Sequence, residues 1–241
     1  MKYIIISDIH GNLEAFDAAV ASFPRGKDKV IVSAGDVVGY GANPGECIDK
    51  VISLGCKNVL GNHDAAVIDK TDITYFNETA AEAVLWTKEH LSQEGKRYLE
   101  GLPLVLEEKL FTVVHGTLHY PEEFIYMMTG PDALHTFGIL KNKICFVGHS
   151  HIPGVFVFKE GRLYESFKKK LTLDKDAQYI INVGSVGQPR DGDNRVSYCV
   201  YDPRKKEIEF KRIEYDINKA RKRIIKAGLP QVLGDRLLMG R

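Results

Sequence analysis

A chain of 241 residues suits one large α/β domain or two small ones, and 44% hydrophobic with 27% charged residues is ordinary for a protein that can bury a core. The net charge of +1 gives no bulk argument for coating nucleic acid or a membrane surface. Four cysteines (Cys47, Cys56, Cys145, Cys199) stand without CxxC spacing, which excludes a zinc ribbon or a disulfide scaffold and fits a reducing cytosol. The apolar run before Asp8 is too short for a signal peptide, and no later stretch approaches a membrane span, so a cytoplasmic protein is expected.

The first element is the apolar run Tyr3-Ile4-Ile5-Ile6, a buried strand. It ends in Ser7-Asp8-Ile9-His10-Gly11-Asn12, and a helix follows from Leu13. In extended backbone, positions i and i+2 point the same way, so Asp8 and His10 are expected to reach one ion together. A second buried strand, Val30 to Ser33, ends in Ala34-Gly35-Asp36. Asn43-Pro44 reads as an N-cap and first helical position, with the helix stopping at Gly55. A third strand is expected over 56–60, ending in Gly61-Asn62-His63-Asp64. Strand, ligand-rich turn and helix repeat, which implies a parallel sheet with ligands at the strands' carboxyl ends.

Residues 77–100 read as helical, with Asn77 and Ser92 as caps, Trp86 in the packing and Gly101-Leu102-Pro103 as the stop. The segment reads as an inserted cap or wall. Residues 104–107 and 110–114 form a hairpin turning at Glu108-Lys109, and the second strand ends in His115-Gly116. A strand at 143–147 ends in Gly148-His149-Ser150-His151. Further strands are expected at 154–158, 162–165, 179–183, 195–201 and 206–213. The last helix starts at Asp216 and stops at Gly228, with Pro230 beyond. No repeat, linker or domain boundary interrupts the chain, so residues 1–241 are expected to form one domain of two sheets face to face with helices outside both.

The polar groups at strand ends are Asp8, His10, Asp36, Asn62, His63, His115, His149 and His151. Five of the eight histidines fall in these turns; His90, His119 and His135 do not. Imidazole and carboxylate ligands together suit Mn, Fe, Ni or Zn. The set exceeds what one ion needs. Two ions sharing a carboxylate, about 3.5–4 Å apart, would clamp an in-line displacement at phosphorus.

The ordered set DxH, GDVVGYG, GNHD, HG and GHSH, over residues 8 to 151, resembles the calcineurin-like metallophosphoesterase superfamily. The stretch Asn182 to Arg190 resembles the strand-loop that closes the site in its small bacterial and archaeal phosphodiesterase branch. The resemblance implies a four-layer αββα sandwich of two mixed β-sheets flanked by helices. It implies one ion on Asp8, His10, Asp36 and His151, and another on Asp36, Asn62, His115 and His149, with manganese first among the candidates. It implies a metal-bridging hydroxide as nucleophile, His63 as general acid or phosphate contact, and a small phosphate ester or nucleotide as substrate.

The chain departs from the GDxxDRG pattern of phosphoprotein phosphatases and dinucleoside tetraphosphatases, because Gly39 and Tyr40 stand at the Asp and Arg positions. A phosphodiesterase is therefore expected ahead of those activities. A scaffold without catalysis, like the retromer subunit of this fold, is disfavoured because His63 and every ligand position are filled. What orients His63 is not apparent from the sequence.

Other features carry bland readings beside functional ones. Arg190 would clamp a phosphate bidentately, or pair with Asp191 or Asp193. Tyr40 would pack its loop or line the cleft. Lys168-Lys169-Lys170 and the basic run from Lys219 to Lys226 read as solvated faces rather than a nucleic-acid surface. Leu229, Val232, Leu233, Leu237 and Leu238 would cover a core edge or a subunit interface of a homo-oligomer.

Overall fold

The structure is a computed structural model that describes residues 1–26 and 28–241. The first half alternates β1 (Lys2–Ile6), α1 (Leu13–Ser22), β2 (Lys29–Ser33), α2 (Pro44–Ser53) and β3 (Lys57–Asn58). Three helices follow: α3 (Asn62–Val67), α4 (Glu78–His90) and α5 (Gln93–Glu100). Then come β4 (Val105–Glu107), β5 (Thr112–Val114), α6 (Gly130–Ile139) and β6 (Ile144–Val147). The second half continues with β7 (Gly154–Lys159), β8 (Arg162–Ser166), β9 (Lys170–Thr172), β10 (Gln178–Asn182), β11 (Val196–Asp202) and β12 (Glu207–Ile213). It closes with α7 (Ile217–Lys226) and α8 (Gln231–Met239).

The strands form two mixed six-stranded sheets, in the orders β3-β2-β1-β11-β12-β9 and β4-β5-β6-β10-β7-β8. β1, β2 and β3 run parallel, as do β5, β6 and β10, so the carboxyl ends of each trio open at one edge of its sheet. β1 shows how alternation builds the layers. Tyr3 and Ile5 pack with Val32, Phe111, Phe146 and Tyr201 between the sheets. Ile4 and Ile6 point the other way, onto Phe16 and Ala19 of α1 and Ile48 of α2. On the second sheet's outer face, Cys145, Val147 and Ile180 take Ala133 and Phe137 of α6. The result is the expected αββα layering. No helix among the described residues is long and apolar enough to cross a membrane.

Several local expectations need correction. The third strand covers Lys57–Asn58 rather than 56–60, because only Val32 and Ser33 of β2 pair with it. Pro44 does start α2, but the Asn43 side chain donates to Glu46 Oε1 at 2.7 Å and makes no cap bond to the backbone. Asn77, Ser92 and Asp216 cap as expected, accepting from Ala80, Gly95 and Lys219 amides. Leu229, Leu233 and Leu237 are buried against Tyr40, Ala80 and Ala83, with Leu233 and Leu237 on the additional helix α8; Val232 and Leu238 stay exposed.

Candidate metal centre

Seven of the eight strand-end groups are buried, and Asn62 is half-buried; all gather at the edge where both parallel trios end. Ligand atoms of Asp8, His10 and His151 lie within 4.8 Å of one another, as do those of Asp36, His115 and His149. Asn62 Oδ1 joins the second group at 3.0 Å from His115 Nε2. His63 also falls close, its ring nitrogen within 4.8 Å of His10 and Asp36 ligand atoms.

The turns reach this geometry through backbone that the extended-strand expectation for Asp8 and His10 did not foresee. Asp8 (φ 54°), His10 (φ 50°), Asp36 (φ 56°), His149 (φ 66°) and His151 (φ 61°) all sit in the left-handed region. Non-glycine residues adopt it at a cost, and such strain clusters at functional sites. Amides of the turns are held across elements: Asp8 N–H donates to Gly35 O, His10 N–H to Asp36 O, and Gly187 N–H to Asp8 O. The helix after β1 is capped by Asn12, which accepts from Ala15 N–H at 3.1 Å, so Asp8 is free of that task.

Hydrogen bonds on the far side of the rings settle the tautomers. A carbonyl can only accept, so Nδ1 carries the proton in His10 (to Val38 O, 3.1 Å), His115 (to Ala34 O, 2.7 Å) and His151 (to Gln188 O, 2.5 Å). In His10 and His151, which burial keeps neutral, an Nε2 lone pair is then turned inward. His10 Nε2 and His151 Nε2 face each other at 3.0 Å, and His115 Nε2 faces Asn62 Oδ1. Asp36 Oδ2 lies 3.3 Å from His115 Nε2 and 3.6 Å from His10 Nε2 and has no other partner among the described residues, while Asp36 Oδ1 accepts from His63 N–H at 2.9 Å. Two neutral imidazoles that meet lone pair to lone pair beside buried carboxylates make a site for a cation. Burial and the neighbouring His115 hold His149 neutral, whereas His115 overcomes the same burial through Asp36 and Asp8 and is raised to about 9. The donor set therefore fits divalent metal ions.

Asp64 carries a structural share that sequence reasoning missed. Its carboxylate accepts from the amides of Asp36 (2.9 Å), Val38 (3.1 Å) and Gly61 (3.2 Å), stitching the turn after β2 to the turn before α3. Burial and then the nearby Asp36 raise it to about 7. The Asp in GNHD was legible, but its partners are backbone groups up to 28 residues away. Ser185 was also missed: its hydroxyl donates to Asp8 O at 2.8 Å and accepts from Gln188 N–H at 2.7 Å.

His63 Nδ1 is buried with no hydrogen-bond partner among the described residues. A Cβ at position 39 would come within 2.6 Å of it, and Gly39 is also at φ +97°, so only glycine leaves this ring its place. Tyr40 (4.4 Å between centroids), His10 (4.9 Å) and Phe76 (5.0 Å, edge-on) surround the ring. Burial first, and then the positive Arg190, lower His63 to about 4, against the pull of Asp36.

Arg190 does not pair with Asp191 or Asp193. Asp191 bonds Arg212, and Asp193 bonds Arg195 at 2.7 Å. Arg190 instead donates to Gln188 Oε1 at 3.0 Å and Tyr40 Oη at 3.2 Å, with no carboxylate bridging it among the described residues. Tyr40 both packs its loop and lines a cleft of about 510 Å³ that opens onto Asn62, His63 and His149. Tyr126 roofs part of it, its ring stacked 3.7 Å from that of His149.

Sheets meeting at a rim of inward imidazoles and carboxylates define a metal-dependent phosphoesterase. The chain belongs to the calcineurin-like phosphoesterase superfamily, whose domain model matches residues 1–206. It is accordingly a hydrolase of phosphoric esters. It is 43% identical over 248 residues to an uncharacterised protein of Methanocaldococcus jannaschii, covering 98% of this chain and 97% of that one. A crystal structure of a metallophosphoesterase from Sphaerobacter thermophilus superposes with TM-score 0.87 at 37% identity, covering 100% of this chain and 99% of that one. A hypothetical protein of Pyrococcus horikoshii shares the fold, with TM-score 0.78 at 19% identity over 100% of this chain and 98% of that one.

Proposed function

We propose that the chain is a phosphodiesterase that holds two divalent ions, one on Asp8, His10, Asp36 and His151, the other on Asp36, Asn62, His115 and His149. The observation that carries this reading is His10 Nε2 facing His151 Nε2 at 3.0 Å, with both Nδ1 protons committed to carbonyls. Asp36 Oδ2, without a hydrogen-bond partner among the described residues and between His10 and His115, is the shared ligand. Manganese suits this mixed nitrogen and oxygen set, as do Fe, Ni and Zn. Bound ions of this kind supply Lewis acidity at a phosphoryl oxygen and an acidified water.

The chain's own side chains do the rest. Arg190, with no carboxylate to neutralise it, binds the phosphate anion from the closing loop. His63 gives its proton to the departing alkoxide. Burial lowers that ring's affinity for a proton, and an anionic phosphate beside it restores the imidazolium, which takes its proton from solvent.

A diester is favoured over a monoester by the departure from the phosphatase motif. Gly39 and Tyr40 remove one acid and one base from the phosphatase pattern, leaving Arg190 as the cation beside Tyr40. With the ions on the phosphoryl oxygens, the site lacks the additional Arg that the phosphatase pattern supplies to a terminal phosphate. A panel assay of manganese-loaded protein tests this. Turnover of bis-p-nitrophenyl phosphate is expected to exceed that of p-nitrophenyl phosphate. A strong preference for phosphoserine peptides or dinucleoside tetraphosphates would overturn the assignment in favour of the phosphatase branch.

A further inference from the structure

The cleft above the ligand cluster is electrically two-ended. Its floor carries Asn62, His63 and His149, with Arg190 beside Tyr40. Its rim is set by the segment before α4 and by the turn after β5, and it carries the carboxylates of Asp72, Glu122 and Glu123. None of the three forms a salt bridge among the described residues, and Asp72 Oδ1 accepts only from Thr74 N–H at 2.9 Å. The lysine on that rim, Lys70, is turned to Glu100 O at 3.1 Å. Aromatic rings stand among these carboxylates. Tyr75 is 88% exposed, and Tyr126 is 47% exposed on top of His149. Phe76 presents its ring beside His63 in the same wall.

Rings carry negative charge on their faces and attract cations, most strongly when water is displaced, and carboxylates add to the attraction. A nucleobase would gain stacking here but little from three negative charges. A polyanion would be repelled at the entrance. We propose that this cleft recognises a zwitterionic phosphodiester, its phosphate on the floor and a quaternary ammonium on one ester arm at the rim formed by Tyr75, Tyr126, Glu122 and Glu123. The ligand class is that of choline phosphodiesters. The reaction is ordinary hydrolysis: water adds to phosphorus, and one ester oxygen leaves with a proton as the alcohol. The inference rests on the phosphodiesterase reading for turnover, but the rim itself can be tested by binding.

Two substrates isolate the cation. p-Nitrophenylphosphorylcholine and p-nitrophenyl 3,3-dimethylbutyl phosphate share the diester and the leaving group, and differ in a quaternary nitrogen against a quaternary carbon. With manganese-loaded protein, kcat/KM is expected to favour the choline ester by about tenfold at low salt, the scale of a partly desolvated cation on aromatic faces. The ratio should fall with ionic strength and drop towards one in Glu122→Gln/Glu123→Gln and in Tyr75→Ala. Phosphocholine should likewise outbind 3,3-dimethylbutyl phosphate by calorimetry, which needs no turnover. Equal rates with equal binding would overturn the cation site while leaving the phosphodiesterase reading intact. Preference for p-nitrophenyl thymidine 5′-phosphate over both esters would overturn it in favour of a base-stacking cleft. Selective phosphocholine binding with no hydrolysis of any diester would sustain the rim and sink the phosphodiesterase.

Discussion

His63 sits in a cage rather than on a hydrogen bond. Tyr40, Phe76 and His10 fix its ring plane, and Gly39 leaves room for Nδ1 where a side chain would collide. Packing of this kind sets orientation without adding a charge that would favour the imidazolium. Because His63 donates its backbone amide to Asp36 Oδ1 while its ring faces the cleft, its side chain is separable from the ligand set. His63→Ala is therefore expected to leave both ions bound and to lower turnover by ~10²–10⁴, the range of general acid–base catalysis. The loss should depend on the leaving group. p-Nitrophenolate departs without much help, whereas an alkoxide needs the proton, so the larger loss belongs to the alkyl diester. Measuring kcat/KM on both, with metal content alongside, checks this. Equal losses would make His63 a phosphate contact, and missing metal would make it a ligand, the role its nearness to His10 and Asp36 keeps in view.

At the scale of elements, the loop from Arg190 to Arg195 shows how the catalytic edge is tied to the rest of the chain. Asp191 pairs with Arg212 of β12, Gly192 N–H donates to Gly240 O, and Asn194 Nδ2 donates to Leu238 O of α8 at 3.0 Å. Asp193 accepts from Arg195 through its side chain and backbone, which, with the charge of Arg212, holds it down to about 2. A carboxylate depressed in the folded state contributes stability that is present above its unfolded pKa of about 3.9 and is lost as pH falls towards 2. Asp193→Asn should therefore be less stable than wild type at pH 6 in urea unfolding, with the gap narrowing below about pH 4. A gap independent of pH over that window would show that the pair acts through shape alone. The main strands and three caps could be read from alternation and N-cap chemistry, because those signals are local. α6 and α8 could not. α6 opens on Gly130-Pro131, with Asp132 completing its capping box, and α8 begins after Pro230 without a side-chain cap. Their stability comes from Phe137 on the second sheet and Leu233 under Tyr40, contacts that only the assembled chain supplies. β9 is three residues on an edge, defined by pairing with β12 rather than by its own pattern.

The candidate ligands were legible because each follows a buried strand, but their division between two sheets belongs to the whole molecule. Asp8 and His10 follow β1 and Asp36 follows β2 in one sheet; His115 follows β5, and His149 and His151 follow β6, in the other. The apolar layer between the sheets fixes their separation, while at this edge buried acceptors from both sheets face one another. Ions bound there would bridge the sheets and be lost on unfolding, when the groups scatter. A ligand that binds only the folded chain stabilises it by about 4 kcal/mol at a thousandfold excess over Kd. For a chain of this size each kcal/mol moves Tm by roughly 2–4 °C, so saturating manganese should raise Tm by about 10 °C over chelated protein. Asp36→Asn removes the carboxylate whose Oδ2 faces both halves of the site. Lost negative charge between two cations should release at least one of them, shrink the manganese-dependent rise in Tm and abolish most turnover. Calorimetric melts with and without chelator, paired with metal analysis, read all of this at once. Two equivalents of metal with near-normal turnover in Asp36→Asn would refute the bridge. A normal rise in Tm with turnover lost would move Asp36 from holding the ions to aligning the substrate.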